Sequence, residues 1–191
     1  PQDSLVGRLQ LVFFGLVITV ITQSSSAGVA TALAALFAGN INFHQAAALV
    51  IGMDVGTTLT AVFSSIGGTI AARRTGFSHC IFNVFIASGA FLFLNLYVLS
   101  WETIFNESIS ANAEIALVAF HSVMNLVGVI IILPFSHRFA SFMCRIIPED
   151  KPLFGEALDE QLLQSPDQAI PALQQNNAQQ FMMLLNYLSN L

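Results

Sequence analysis

Between Leu9 and Ala72 only one side chain, Asp54, carries a formal charge, and the rest of the stretch is mostly apolar. A segment that long cannot turn a charged face to water, so its natural solvent is a bilayer. The whole chain agrees: of its 191 residues 55% are hydrophobic and 9% charged, whereas soluble domains carry about 25% charged residues. The basic and acidic side chains gather elsewhere, so the net charge of −5 describes mainly the C-terminal quarter. No basic patch interleaved with aromatics points to nucleic acid.

Inside the uncharged stretch four polar residues stand in a row, Gln23-Ser24-Ser25-Ser26, between the apolar runs Leu11 to Ile21 and Ala27 to Ala38. As a helix each run covers roughly 16–18 Å, short of a hydrocarbon core about 30 Å thick. The stretch therefore reads either as one continuous helix with a polar patch or as two half-helices meeting at a break. Consecutive serines compete for backbone groups and favour N-caps over helix interiors. A half-helix starting at Ser24 to Ser26 would offer free N–H groups to an anion, and the unwound carbonyls and hydroxyls would suit a hard cation. The competing reading is that the serines only let two helices pack closely. Gly39 to Asn42 is a turn.

The next apolar block, His44 to Ala72, is interrupted by Gly52-Met53-Asp54-Val55-Gly56-Thr57-Thr58. Two glycines around an acid predict a second broken helix, because Gly weakens a helix interior by about 1 kcal/mol and an intramembrane carboxylate costs about 2.5–3.5 kcal/mol. Such a carboxylate faces a partner or a cavity; otherwise Asp54 lies near the interface, or is protonated and merely hydrogen-bonded. Arg73-Arg74 close the block. Cys80 to Trp101 and Ile115 to Phe135 each read as one full span, with Tyr97 and Trp101 at interfacial depth. The loop between them carries Glu102, Glu107 and Glu114, whereas Arg138, Arg145 and Lys151 follow the second span. Both basic clusters thus fall on one side, which the positive-inside rule makes cytoplasmic. Arg8 alone is too weak to fix the side from which the first hairpin enters.

His79 and Asn83, like His121 and Asn125, lie four residues apart on one helical face. Neither His has a Cys or carboxylate at ligand spacing, so helix–helix hydrogen bonding or a polar pathway is favoured over a metal. Cys80 and Cys144 form no disulfide framework. From Gly155 to Leu191 the chain is rich in Gln and Asn, with Leu158, Leu162, Leu163, Ile170, Leu173, Phe181, Leu184, Leu185 and Leu188 at amphipathic spacing and Pro166 and Pro171 dividing the segment. It reads as the start of a soluble helical domain. The expected division is 1–147, membrane, and 148–191, a cytoplasmic tail. Opening at Pro1 and entering the membrane within ten residues, the sequence reads as one half of a longer chain.

The ordered elements Gln23-Ser24-Ser25-Ser26-Ala27, Gly52 to Ala61 (GMDVGTTLTA), Ala71-Ala72-Arg73-Arg74 and His79-x-x-Phe82-Asn83 resemble the type II sodium-dependent phosphate cotransporter family, over roughly residues 9 to 135. The tail is similar, more vaguely, to a phosphate-uptake-regulator-like helical domain. The resemblance implies an all-α integral membrane protein of broken re-entrant helices plus spanning helices. It would form one half of an inverted-repeat transporter, completed by a first repeat or by a second copy in a homodimer. Ser24, Ser25 and Ser26 would bind phosphate. Gln23, Asp54, Thr57, Thr58 and Asn83 would bind sodium, the coupling ion, with no other metal or cofactor. The family often has Asn where this chain has Asp54, which opens a change of coupling ion or of charge moved per cycle. The expected function is sodium-coupled symport of phosphate across the inner membrane. The alternatives are symport of another anion or with another ion, and a phosphate-sensing regulatory protein. An enzyme is disfavoured, because the serines lack a nucleophile-elbow context.

Overall fold

The computed structural model describes residues 4–148 and 166–189. Contacts separate the chain into two units, Pro1–Ile147 and Pro148–Leu191. Among the described residues there is no strand. The first unit holds α1 (Leu5–Thr22), α2 (Ser25–Phe37), α3 (Phe43–Ser65), α4 (Ile70–Leu92), α5 (Leu94–Phe105), α6 (Ala113–Ile132) and α7 (Ser136–Ile146); the second holds α8 (Pro166–Ser189). The chain is an all-α membrane protein: α1, α3, α4 and the segment containing α6 are long and apolar enough to cross a bilayer.

The axis of the first unit is α3. Half of its most apolar stretch is buried, against 17–28% for the other candidate spans, and α1, α2, α4 and α6 all pack around it. It starts from a capping box in which Asn42 Oδ1 accepts from Gln45 N (2.9 Å) and Gln45 Oε1 accepts from Asn42 N (3.0 Å). It then runs unbroken through Gly52 to Thr58, so the second broken helix expected from the sequence is not present. The glycines serve contact instead. A Cβ on Gly52 would strike the carbonyl oxygen of Val12, one on Gly15 would strike that of Leu49, and one on Gly56 would lie 2.7 Å from the carbonyl oxygen of Leu16. Two backbones meet directly here, as small residues allow between membrane helices.

The same contacts set direction and depth. Val12 faces Gly52, and Leu16 and Thr19 face Gly56, so α1 runs parallel to α3. Gly28, early in α2, lies against Met53, and α2 runs back the other way. α1 and α2 thus form a re-entrant hairpin whose tip lies past Gly56 and turns before reaching Ser65. The first arm begins at Leu5, earlier than its apolar run suggested, and at 18 residues it covers roughly 27 Å.

The far end of α3 closes through Ser65 and Gly68, and α4 starts from an N-cap at Thr69. Arg73 and Arg74 therefore sit in the first turns of α4, not at the end of the preceding block. α4 packs antiparallel to α3, with Gly76 against Ala61 and Ser65. The predicted single span Cys80 to Trp101 is instead two helices meeting at Phe93 (φ −96°, ψ 9°). Ser88-Gly89 lies one turn ahead, a pair that commonly marks a kink. Tyr97 OH donates to Ala116 O (2.8 Å), and Phe43, Tyr97, Trp101 and Phe120 form an aromatic cluster at that end. Arg8 reaches Asn95 Oδ1 (3.3 Å) there, so the hairpin enters from the end that carries the acidic loop. At the opposite end Arg74 Nε donates to Ile147 O (2.9 Å), which joins the start of α4 to the end of α7.

In the second unit α8 runs continuously with Pro171 inside it, so the two prolines do not divide the segment. Pro166 opens the helix, where its missing N–H matters least, and Pro171 forgoes one bond near that same end. Ile170, Leu173, Phe181, Leu184, Leu185 and Leu188 lie along α8; Leu158, Leu162 and Leu163 lie outside the described residues.

Because Gly52 touches backbone, Gly52→Ala should lower stability by about 1–3 kcal/mol. Gly89→Ala, which meets nothing within 4 Å, should not. Thermal unfolding of the two variants in detergent checks the contrast.

Candidate functional site

Two groups of polar side chains stand beside α3, one past Gly56 and one at its middle. The first is the hairpin tip. Gln23 adopts left-handed backbone (φ 52°, ψ 26°) and donates its N–H to Thr19 O (2.7 Å), which ends α1. A non-glycine residue held there stores of order 1–3 kcal/mol of strain, a frequent companion of functional sites. Ser24 is extended (φ −143°, ψ 105°) and caps α2, its Oγ accepting from Ala27 N at 3.3 Å. Of the two readings of Gln23 to Ser26, the structure has the two half-helices. Ser24 and Ser25 are half-buried; Gln23 and Ser26 are exposed. The first N–H groups of α2 have no intrahelical acceptor, and its dipole presents a partial positive charge beside three hydroxyls. Between Arg8 and Arg73 the sequence has no Lys or Arg, so the hairpin itself offers an anion only backbone and hydroxyl dipoles.

The second group surrounds Asp54, which is largely buried, with 13% of its side chain exposed. His121 Nε2 on α6 lies 3.0 Å from Asp54 Oδ1, within hydrogen-bonding distance. The other oxygen, Oδ2, is buried without a partner. The Asp54 carbonyl accepts from Asn83 Nδ2 on α4 (3.2 Å) and from Thr57 Oγ1 (2.7 Å). Thr58, fully buried, donates to Val55 O (2.7 Å). On α4, His79 Nε2 lies 3.5 Å from Asn83 Nδ2; on α6, Asn125 donates to His121 O (2.9 Å). A polar chain thus links α4, α3 and α6 at mid-depth.

The structure brings Asp54, Thr57 and Asn83 into one network and places the tip further along α3, past Gly56. Asp54 and Gly56 are two positions apart, roughly 200° around the helix, so the carboxylate and the hairpin occupy different sides of α3. His121 is a partner that site reasoning from the sequence passed over, although its spacing with Asn125 marked it for helix–helix hydrogen bonding. Thr19, inside an apolar run, gave no signal. It is fully buried, and its hydroxyl has no partner, a situation that costs about 1–3 kcal/mol. Among the described residues no group of three or more His, Cys, Asp or Glu is placed to hold a metal ion.

A re-entrant broken hairpin packed on a spanning helix, with a polar network at mid-depth, defines an integral membrane protein with an internal polar site of the kind found in transporters. The chain belongs to the Na+/Pi-cotransporter family, whose model matches residues 3–142. It is 31% identical over 134 residues to "Uncharacterized protein YqeW" of Bacillus subtilis (strain 168), covering 70% of this chain and 42% of that protein. It is 32% identical over 173 residues to "Putative inorganic phosphate export protein YjbB" of Escherichia coli (strain K12), covering 87% and 31%. The protein of the same name from Salmonella typhimurium is 31% identical over 172 residues. The chain therefore spans 31–42% of the length of these curated relatives. No solved structure matches it.

Removing the imidazole leaves a buried carboxylate unpaired, so His121→Leu should destabilise the protein by about 3–5 kcal/mol. Pairing it with Asp54→Leu should recover most of the loss, because no buried charge then remains. A double-mutant cycle on thermal unfolding reads the coupling.

Proposed function

We propose that the chain forms one repeat of a transporter that couples inorganic phosphate to sodium. The observation carrying this reading is the hairpin tip, where a helix N-terminus and three serines stand inside the spanning length. Such a site attracts an oxyanion through backbone and hydroxyl hydrogen bonds and the helix dipole. Ser24, Ser25 and Ser26 hold the phosphate. Asp54, Thr57, Thr58 and Asn83 supply oxygens for sodium on one side of α3 and Gln23 on the hairpin side, each hydroxyl turning from its own-helix carbonyl toward the ion. The exposed face of the tip is completed by a second repeat, from the same protein or from a second copy, since backbone polar groups at that depth cannot face lipid.

The protein resides in the inner membrane with the basic end and the C-terminal tail in the cytoplasm. It is not an enzyme, and the coupling ion is its one required metal. Phosphate entering a negatively charged cell moves against about 2.3 kcal/mol per charge per 100 mV, and co-moving sodium offsets that cost. The names of the Escherichia coli and Salmonella relatives favour a second reading in which the same site serves outward movement.

The test is radiolabelled phosphate transport by the full-length protein in proteoliposomes, with sodium or potassium gradients of either direction. Accumulation that follows an inward sodium gradient is expected; equal accumulation in potassium would refute sodium coupling, and net loss of loaded phosphate would establish export. Saturable binding without movement would make the protein a sensor. Ser25→Ala should weaken phosphate affinity about tenfold, the loss of one hydrogen bond to a charged ligand. Asp54→Asn should shift the sodium concentration for half-maximal uptake, and an unchanged titration would remove Asp54 from the cation site.

A further inference from the structure

Helix-borne threonines in this chain share one habit. Thr22, Thr31, Thr75 and Thr103 each donate to the carbonyl four residues back, at 2.7–2.9 Å, and Thr57, Thr58 and Thr60 donate three back. Thr19 does neither. Its side chain is fully buried, its hydroxyl oxygen has no partner, and its Cβ lies 2.8 Å from where a Cβ on Gly56 would stand. A valine would fill that volume without leaving a polar group unsatisfied.

The location gives the hydroxyl a use. Thr19 lies one turn before Gln23, on the same face of α1, and its own carbonyl takes the Gln23 N–H. The remaining carbonyls of the last turn, on Val20, Ile21 and Thr22, lie past the final intrahelical donor, so the negative end of the α1 dipole points at the break. Hydroxyl oxygen, helix-end carbonyls and the Gln23 side-chain amide oxygen are the neutral oxygen donors that a small hard cation takes.

We propose that Thr19 is a cation ligand, its Oγ1 binding sodium at the C-terminal end of α1 together with Gln23. The inference rests on the sodium-coupled reading above and adds to it a position on the hairpin side of α3, opposite Asp54. The cation would then sit at the negative end of α1 next to the anion at the positive end of α2, each lowering the energy of the other.

The test uses the full-length protein in detergent, reading the rise in unfolding temperature as sodium chloride replaces choline chloride. Thr19→Val should fold at least as well as the parent without sodium, yet need about tenfold more sodium for the half-maximal rise, the loss of one good ligand. Thr19→Ser, which keeps the oxygen, should stay within about twofold. Sodium titrations identical for Thr19→Val and parent would overturn the proposal. So would equal impairment of the serine and valine variants, which indicates packing, or a parent indifferent to sodium. Phosphate uptake separates the two readings: sodium binding that depends on Thr19 alongside uptake that ignores sodium would sink the coupling and leave the ligand standing.

Discussion

Everything at the hairpin tip depends on how closely α1 lies against α3. Glycines 15, 52 and 56 let the two backbones touch, and that contact fixes where α1 stops relative to the middle of α3. In lipid there is no hydrophobic force between helices to compensate for a poor fit, so association rests on van der Waals contact and a few polar links. An unbroken α3 is therefore a requirement of the site as much as the break in its neighbour: the rigid helix is the post on which the strained turn at Gln23 is held.

Breaking one helix separates charge without any ionised side chain. At the tip the negative end of α1 and the positive end of α2 come within two residues of each other, giving adjacent places suited to opposite ions. Asp54, on another face of α3, is held differently. Its carbonyl and one carboxylate oxygen are fixed from α4 and α6 by Asn83 and His121, so three helices share one polar node in an otherwise apolar packing.

Much of this was legible in the sequence. The uncharged length gave the membrane, and Gln23 to Ser26 marked where a break could fall, because cap preference and poor helix propensity act locally. The segment around Asp54 misled for a physical reason. Gly52 and Gly56 have the same composition whether they loosen a helix or admit a neighbour, and the deciding neighbour, Val12 to Thr19, lies some forty positions earlier. The partner of Asp54 is 67 residues away, and nothing in the spacing of His121 names it. The kink at Phe93 has only Ser88-Gly89 as a local sign, and Thr19 becomes conspicuous only when its burial and its lack of a partner are seen together.

The hairpin turns back part-way across, and that asymmetry has an electrical consequence. Gly56, level with the last turn of α1, stands thirteen residues after Phe43 and nine before Ser65, and the tip lies beyond it. An ion reaching the tip from the acidic end has crossed more than half of the spanning length, whereas one arriving from the basic end has crossed the smaller part. Membrane voltage would therefore act unequally on the two approaches of an ion to the tip: the path from the acidic end spans the larger share of the field, and the path from the basic end the smaller.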